Sequence, residues 1–445
     1  MDLLTGAMGP LYRRYLFAAF GSAIIMSIYG TVDIIVCGQY EGPIGSAALS
    51  VIMPVWSVTI SIGLLIGIGG AILMSTARGA KEEGNGNGYF TVSLLSAIAI
   101  ALLLTVLFLL FREEFLQLCG ADAAIMPYAV SYVQWIIPAI PLFLVGQVMV
   151  AFIRNDGAPR LAMAAIVSGG VFNIFGDIFF VFTCDMGMAG AGLATALGQL
   201  IGVLILCGYL FSKSCTLRLV KVVAPCRLLT RVFAAGFAPF IIDISFGVTI
   251  LLFNNQIMRY AGATELAVFG AVANVAILFQ SLFYGAGQAL QPIVSANAGA
   301  GQMDRVRAAQ RWALITAGLL GVLFCAIVEA IPSPILCAYM DASEAVLAIG
   351  PAILRVYGLS FLFMGINVVA GYYLQAVLQT AKSLTISLLR GFILCALLVF
   401  LLPAVFGFSA IWWTMPLTEL LTAAVATAIL LREKSRPLPP HTVAS

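Results

Sequence analysis

Four residues of this chain could hold or pass a small cation. Asp33 lies in the first hydrophobic segment, Asn173 and Asp177 stand one helical turn apart in SGGVFNIFGDIFFVFTCDMGMAGAGLATALGQ (168–199), and Thr195 follows in the same stretch. Two carboxylates, an amide and a hydroxyl are hard oxygen ligands suited to a small hard cation. Two nearby carboxyls can also share a proton and titrate as one coupled site. These residues sit in segments that otherwise read as lipid-embedded helix, where a carboxylate costs at least about 2.5 kcal/mol on insertion scales and usually marks an ion pathway.

The surrounding chain confirms the setting. Of its 445 residues 62% are hydrophobic and 9% charged, far below the roughly 25% charged of soluble domains. Apolar runs long enough to cross about 30 Å of hydrocarbon as helix recur along its length, and we count about twelve. The first follows Arg13 and Arg14, carries Asp33 and shows no small-residue cleavage site, so it reads as a retained span and not a signal peptide.

The nine cysteines form no CxxC pair, and Cys207, Cys325 and Cys395 lie in or beside apolar segments as small hydrophobes. The single histidine, His441, is in the Pro-rich tail, so no His-based metal site or triad can be built and no catalytic residue is expected. Apart from Na+ at the coupling site, no metal and no cofactor is called for.

With the N-terminus inside, twelve spans return the C-terminus to the same side. All Lys and Arg residues except Arg112, Arg259 and Arg355 then fall in or beside inner links, as the positive-inside rule requires. An N-lobe of six helices is expected over 1–211, a cytoplasmic linker over 212–230, a C-lobe of six helices over 231–431 and a disordered cytoplasmic tail over 432–445. The halves align with a shift of 220, pairing Tyr40 with Tyr260, Gly67 with Gly287 and Ser75 with Ser295. The expected fold is all-α and polytopic: twelve transmembrane helices in two pseudo-symmetric six-helix bundles around a central cavity, with sites at the repeat interface.

Topology tests the cluster independently. At 1.5 Å per residue, Asp33 lies about 6 Å below the outer end of its helix near Cys37, Asp177 about 9 Å below Thr183, and Thr195 about 10 Å below Met188. Asn173 is one turn deeper on the face of Asp177. All four share one slab of the N-lobe. Interhelical hydrogen bonding alone would account for one carboxylate but not for the second.

VDIIVCGQYEGPIGSAAL resembles the first-helix signature of the multidrug and toxic compound extrusion (MATE) transporters. NNQIMRYAGATELAVFGAVANVAILFQSLFYGAGQALQPIVSANAGAGQMDRVRAA resembles helices seven and eight of the bacterial drug-efflux branch, and LLRGFILCALLVFLLPAVFGFSAIWWTMPLTELL its last two helices. The resemblance implies an antiporter that exports amphipathic, often cationic organic compounds in exchange for H+ or Na+ by alternating access. It further implies a DinF-like N-lobe cation site at Asp33, Asn173, Asp177 and Thr195. The implied partners are small organic molecules and the bilayer of the cell membrane, with no nucleic acid and a monomeric chain. A lipid or lipid-linked saccharide flippase of the same superfamily is the alternative, although phosphate-bearing cargo would favour buried Arg and Lys over buried acids. Asp243 departs from the branch, where an uncharged polar residue is expected.

Asp243 and Glu419 are candidates for a second cation or substrate site, with Thr418 and Thr422 placed to satisfy Glu419. Gln280, Gln288, Gln291, Asn367, Met53, Phe283 and Tyr284 are candidate cavity-lining residues, offering amides and aromatic faces to flat apolar cations. Glu329 and Arg390 read as side chains snorkelling to the two surfaces.

Overall fold

The structure is a computed structural model that describes residues 3–339 and 343–434, without the side chains of Pro43, Glu83, Gly84, Asn85, Asp243, Phe246, Ala263, Glu433 and Lys434. The tail from 435, with His441, lies outside the described residues. The described chain is helical and has no strand. The first half comprises α1 (Met8–Glu41), α2 (Pro43–Gly79), α3 (Glu83–Leu110), a short α4 (Arg112–Leu118), α5 (Met126–Asn155), α6 (Pro159–Asp177) and α7 (Gly187–Tyr209). The second comprises α8 (Pro225–Tyr260), α9 (Ala263–Gly299), α10 (Met303–Ala330), α11 (Pro332–Tyr339), α12 (Glu344–Gly358), α13 (Phe361–Ala376), α14 (Thr380–Leu388), α15 (Leu394–Phe406) and α16 (Thr414–Lys434). Among the described residues eleven helices are long and apolar enough to span a bilayer, or twelve if α11 and α12, bent by 120°, form one span.

Local chemistry explains most boundaries. Pro stands in the first turn of α2, α5 and α6, where its missing N–H costs nothing and its φ suits the helix. α6 does not stop at Asp177 but widens into a π turn over Ile178–Thr183. The apolar stretch from Glu344 to Ala376 reads as one span in the sequence but forms two helices, α12 and α13, because the chain tightens into a turn at Leu359–Ser360, whose amides bond three residues back to Val356 and Tyr357. Outward-facing Leu102, Leu103, Val106 and Leu110 of α3, and Leu319, Val322 and Leu323 of α10, remain exposed. In a membrane span such a stripe faces lipid instead of water.

The chain forms two compact units whose boundaries fall inside helices: one holds Phe17–Gly236, the other Gly6–Leu16 with the chain from Phe237 on. In the first unit α5 packs on α2, α3 and α7, and α6 lies along α7. The linker is fastened to this unit through the buried carboxylate of Asp156, which takes Arg78 Nη1 at 2.5 Å, Tyr209 Oη at 2.9 Å, the Thr216 amide at 3.0 Å and the Thr216 hydroxyl. In the second unit α13 is the central helix, in contact with α9, α10 and α16. Stacked Phe279 and Phe324, 4.1 Å apart, and the edge of Phe361 fill its core.

Candidate functional site

The first unit is built to let α5, α6 and α7 approach closely. A Cβ on Gly192 of α7 would fall 2.4 Å from the carbonyl oxygen of Tyr132 on α5, and one on Gly198 would fall 2.6 Å from the carbonyl of Gly169 on α6. Only glycine permits these backbone distances, and small residues at helix interfaces supply the packing that hydrophobicity cannot drive in lipid. The consequence is a polar cluster enclosed on every side by helix.

Asp33 of α1, Asn173 and Asp177 of α6 and Thr195 of α7 are all buried, Asp177 completely. Asn173 Nδ2 donates to Thr195 Oγ1 at 2.9 Å and to Asp177 Oδ1 at 3.4 Å. The Asp33 carboxyl faces Asp177, Asn173 and Thr195. All four residues singled out by depth are therefore brought together. The π turn after Asp177 is a feature frequent at functional sites.

A fifth member is Tyr132 of α5, whose hydroxyl donates to Asp33 Oδ2 at 3.2 Å and lies 3.5 Å from Thr195 Oγ1. It went unnoticed in the sequence, yet the signal was present: about six residues below the outer start of α5, or roughly 9 Å, it occupies the same slab.

Three buried oxygens of the cluster, Asp33 Oδ1, Asn173 Oδ1 and Asp177 Oδ2, have no hydrogen-bond partner among the described residues. Buried acceptors left unmatched cost about 1–3 kcal/mol each, more when charged. A proton shared between the carboxyls, or a cation on the three oxygens, would satisfy them. A cavity of about 90 Å³ reaches this cluster, with Asn173 and Thr195 in its wall together with Tyr29, Trp56, Gln147 and Gln199. It has space for several waters.

The remaining candidates separate. Glu419 is fully buried in the second unit, but its partners are Arg390 Nε at 2.6 Å and Asn367 Nδ2 at 2.6 Å, not Thr418 or Thr422. Arg390 does not snorkel. It turns inward onto the Glu419 carboxylate of α16, which Asn367 of α13 holds from the other side, and only a tenth of its side chain is exposed. Gln280 and Tyr284 line a second cavity beside this pair. Phe283 borders neither of these two cavities and is fully buried against Phe324 and Gly365. Gln291 is buried and Gln288 half-buried, whereas Met53 is exposed, and none of the three borders either cavity. The Asp243 side chain lies outside the described residues. Glu329 is half-exposed and meets Arg355 at 3.6 Å, as a surface pair should. No group of three or more His, Cys, Asp or Glu able to hold a metal occurs among the described residues.

Apolar spans, two helical units and an enclosed carboxylate cluster define a polytopic membrane transporter. The MatE family model matches this chain twice, over residues 18–179 and 239–401, and the chain belongs to the MATE family, whose members are transporters and not enzymes. It is 25% identical over 417 residues to the multidrug export protein MepA of Staphylococcus aureus strain N315, covering 92% of this chain and 91% of that one. MepA of Staphylococcus saprophyticus is 24% identical, with 93% and 91% covered. Among solved structures, an outward-facing multidrug resistance MATE transporter of the MOP superfamily superimposes with a TM-score of 0.91 at 18% identity, covering 98% of both chains. A MOP superfamily transporter from Pyrococcus furiosus superimposes at 0.90 with 19% identity and 98% of both chains covered. These structural likenesses establish the shared fold.

Proposed function

We propose that this transporter is a secondary antiporter that exports amphipathic, often cationic organic compounds in exchange for H+ or Na+, with Asp33, Asn173, Asp177 and Thr195 as the coupling site and Tyr132 as an additional member. The observation that carries this reading is the pair of facing buried carboxyls, each with one unpartnered oxygen, beside the unpartnered amide oxygen of Asn173. The multidrug export relatives support the substrate class.

In the exchange cycle, H+ or Na+ neutralises the carboxyls, and the hydrogen bonding that ties α1, α5, α6 and α7 rearranges. Exchange requires only that cation and substrate each favour a different state, since a ligand shifts an equilibrium by its differential affinity. Tyr132 holds one oxygen of Asp33 in place while leaving the other open to the incoming ion. The chain works as a monomer with both termini cytoplasmic, the orientation that puts its basic links inside.

Uptake of a fluorescent cationic dye into inverted vesicles, with pH and Na+ gradients imposed separately, tests the assignment and names the ion. Gradient-driven uptake present in the wild type and lost in Asp33→Asn and Asp177→Asn is the expected result. Uptake that survives both substitutions would remove the coupling role from this site, and an absence of dye movement under either gradient would favour lipid translocation.

A further inference from the structure

The second unit holds a buried ion pair that the coupling reading leaves unused. Glu419 Oε1 accepts from Arg390 Nε at 2.6 Å, and Glu419 Oε2 accepts from Asn367 Nδ2 at 2.6 Å. Both carboxylate oxygens are thereby occupied. The Tyr284 hydroxyl also bonds to the guanidinium, and Gln280 Nε2 donates to that hydroxyl at 2.6 Å. Among the described residues, the titratable groups that interact electrostatically with Glu419 are Arg390, Tyr357 of α12 and Cys395 of α15.

A cavity of about 50 Å³ opens beside the pair. Arg390, Tyr284 and Gln280 form its polar wall, while Phe253, Phe269 and Met415 lie on its apolar side. The two phenylalanine rings stack 4.7 Å apart with 11° between their planes. The space is far below the several hundred Å³ of a drug-sized pocket, so it suits a head group with a flat apolar attachment.

Charge decides which head group. A cation would meet the guanidinium at close range in a poor dielectric. A carboxylate could engage the Arg fork through two parallel N–H···O bonds, the arrangement for which guanidinium is preorganised. Adding that anion to a neutral Arg390–Glu419 pair would leave a net negative charge buried, a large cost. That net charge is avoided if Glu419 takes a proton as it releases Arg390.

We infer that this cavity is a binding subsite for a carboxylate borne on an aromatic or similarly flat apolar group, which takes over Arg390 while Glu419 accepts one proton from solution. No covalent bond changes. The ligand enters as an anion, the proton goes to a Glu419 oxygen, and the site is neutral before and after. It would admit the acidic end of zwitterionic or anionic compounds, beyond the cationic class proposed above.

The test uses the purified full-length protein in detergent micelles and benzoate as probe, with benzamide as its neutral counterpart. Titration calorimetry in buffers of different ionisation enthalpy counts the protons taken up. Expected are benzoate binding with uptake of about one proton, no binding of benzamide, and at least about tenfold weaker benzoate binding in Arg390→Lys, which keeps the charge but loses the fork. Glu419→Gln should bind benzoate about tenfold more tightly with proton uptake abolished, because the displaced partner is then already neutral. Thermal unfolding of each variant verifies that it is folded, and if Glu419→Gln is not, Arg390→Lys and benzamide decide the matter. Equal binding of benzamide, unaltered affinity in Arg390→Lys, or no benzoate binding at millimolar concentration would overturn the inference. Since no gradient is imposed, the result is read separately from coupled transport.

Discussion

A single methyl group at Gly192 tests how the coupling cluster is held. A Cβ there would stand 2.4 Å from the Tyr132 carbonyl oxygen and 3.3 Å from its Cα. Ordinary contact begins near 3.4 Å, so α7 and α5 must separate by about 1 Å, in an interior that is close-packed and does not absorb such a shift cheaply. Overpacking of this kind costs about 1–3 kcal/mol. The damage falls on the site, because Thr195 is one turn from Gly192 and its contact with the Tyr132 hydroxyl is already 3.5 Å. Gly192→Ala should therefore lower the thermal stability of the purified protein and depress gradient-driven dye uptake about tenfold or more, as a 1 Å misplacement does to other preorganised sites. Gly208→Ala, on the same helix but with nothing within 4 Å of the added Cβ, is the control. It should stabilise the protein by up to about 1 kcal/mol through helix propensity and leave transport unaltered. If Gly192→Ala matches wild type in both stability and uptake, close approach of α5 and α7 is not what assembles the cluster.

Further outcomes follow from the same geometry. Asp177→Asn, which removes a buried carboxylate with an unmatched oxygen, should abolish coupled efflux without lowering the melting temperature, as judged by unfolding scans beside vesicle assays. Asp156→Ala strands Arg78, Tyr209 and Thr216 and should cost about 2–4 kcal/mol by denaturation. A membrane-impermeant maleimide added to intact cells should label exposed Cys184 and Cys337, while exposed Cys226 reacts only in inverted vesicles. Labelling on the opposite sides would reverse the proposed orientation. Cys215, in the linker, should react slowly until the protein is unfolded, because burial raises its thiol pKa and reduces the reactive thiolate at neutral pH.

Much of this molecule was legible in one dimension. Apolar run length sets where spans lie, and a constant rise of 1.5 Å per residue converts position into depth. That is why Asp33, Asn173, Asp177 and Thr195 could be assigned to one slab before any packing was known. Depth would also have selected Tyr132, had every polar residue in the slab been counted.

What depth does not carry is azimuth and partnership. Arg390 lies near the inner end of its span and read as a snorkelling side chain. Only the convergence of α13 and α16 turned it inward onto Glu419. Phe283 is aromatic and adjoins Tyr284 as a cavity residue could, yet the face it occupies meets the Phe324 and Gly365 side of the core. The break at Leu359–Ser360 is marked in the sequence only by Gly358 and Ser360, a weak signal between two apolar helices, and the turn is closed by three-residue backbone bonds. Span order, depth and the residue types of the coupling cluster were thus determined by sequence alone, since hydrophobicity and helical rise are local. Which carboxylate faces which, and which cation is buried, was decided by tertiary structure, because a rotation of a helix about its axis changes every partner while leaving its depth untouched.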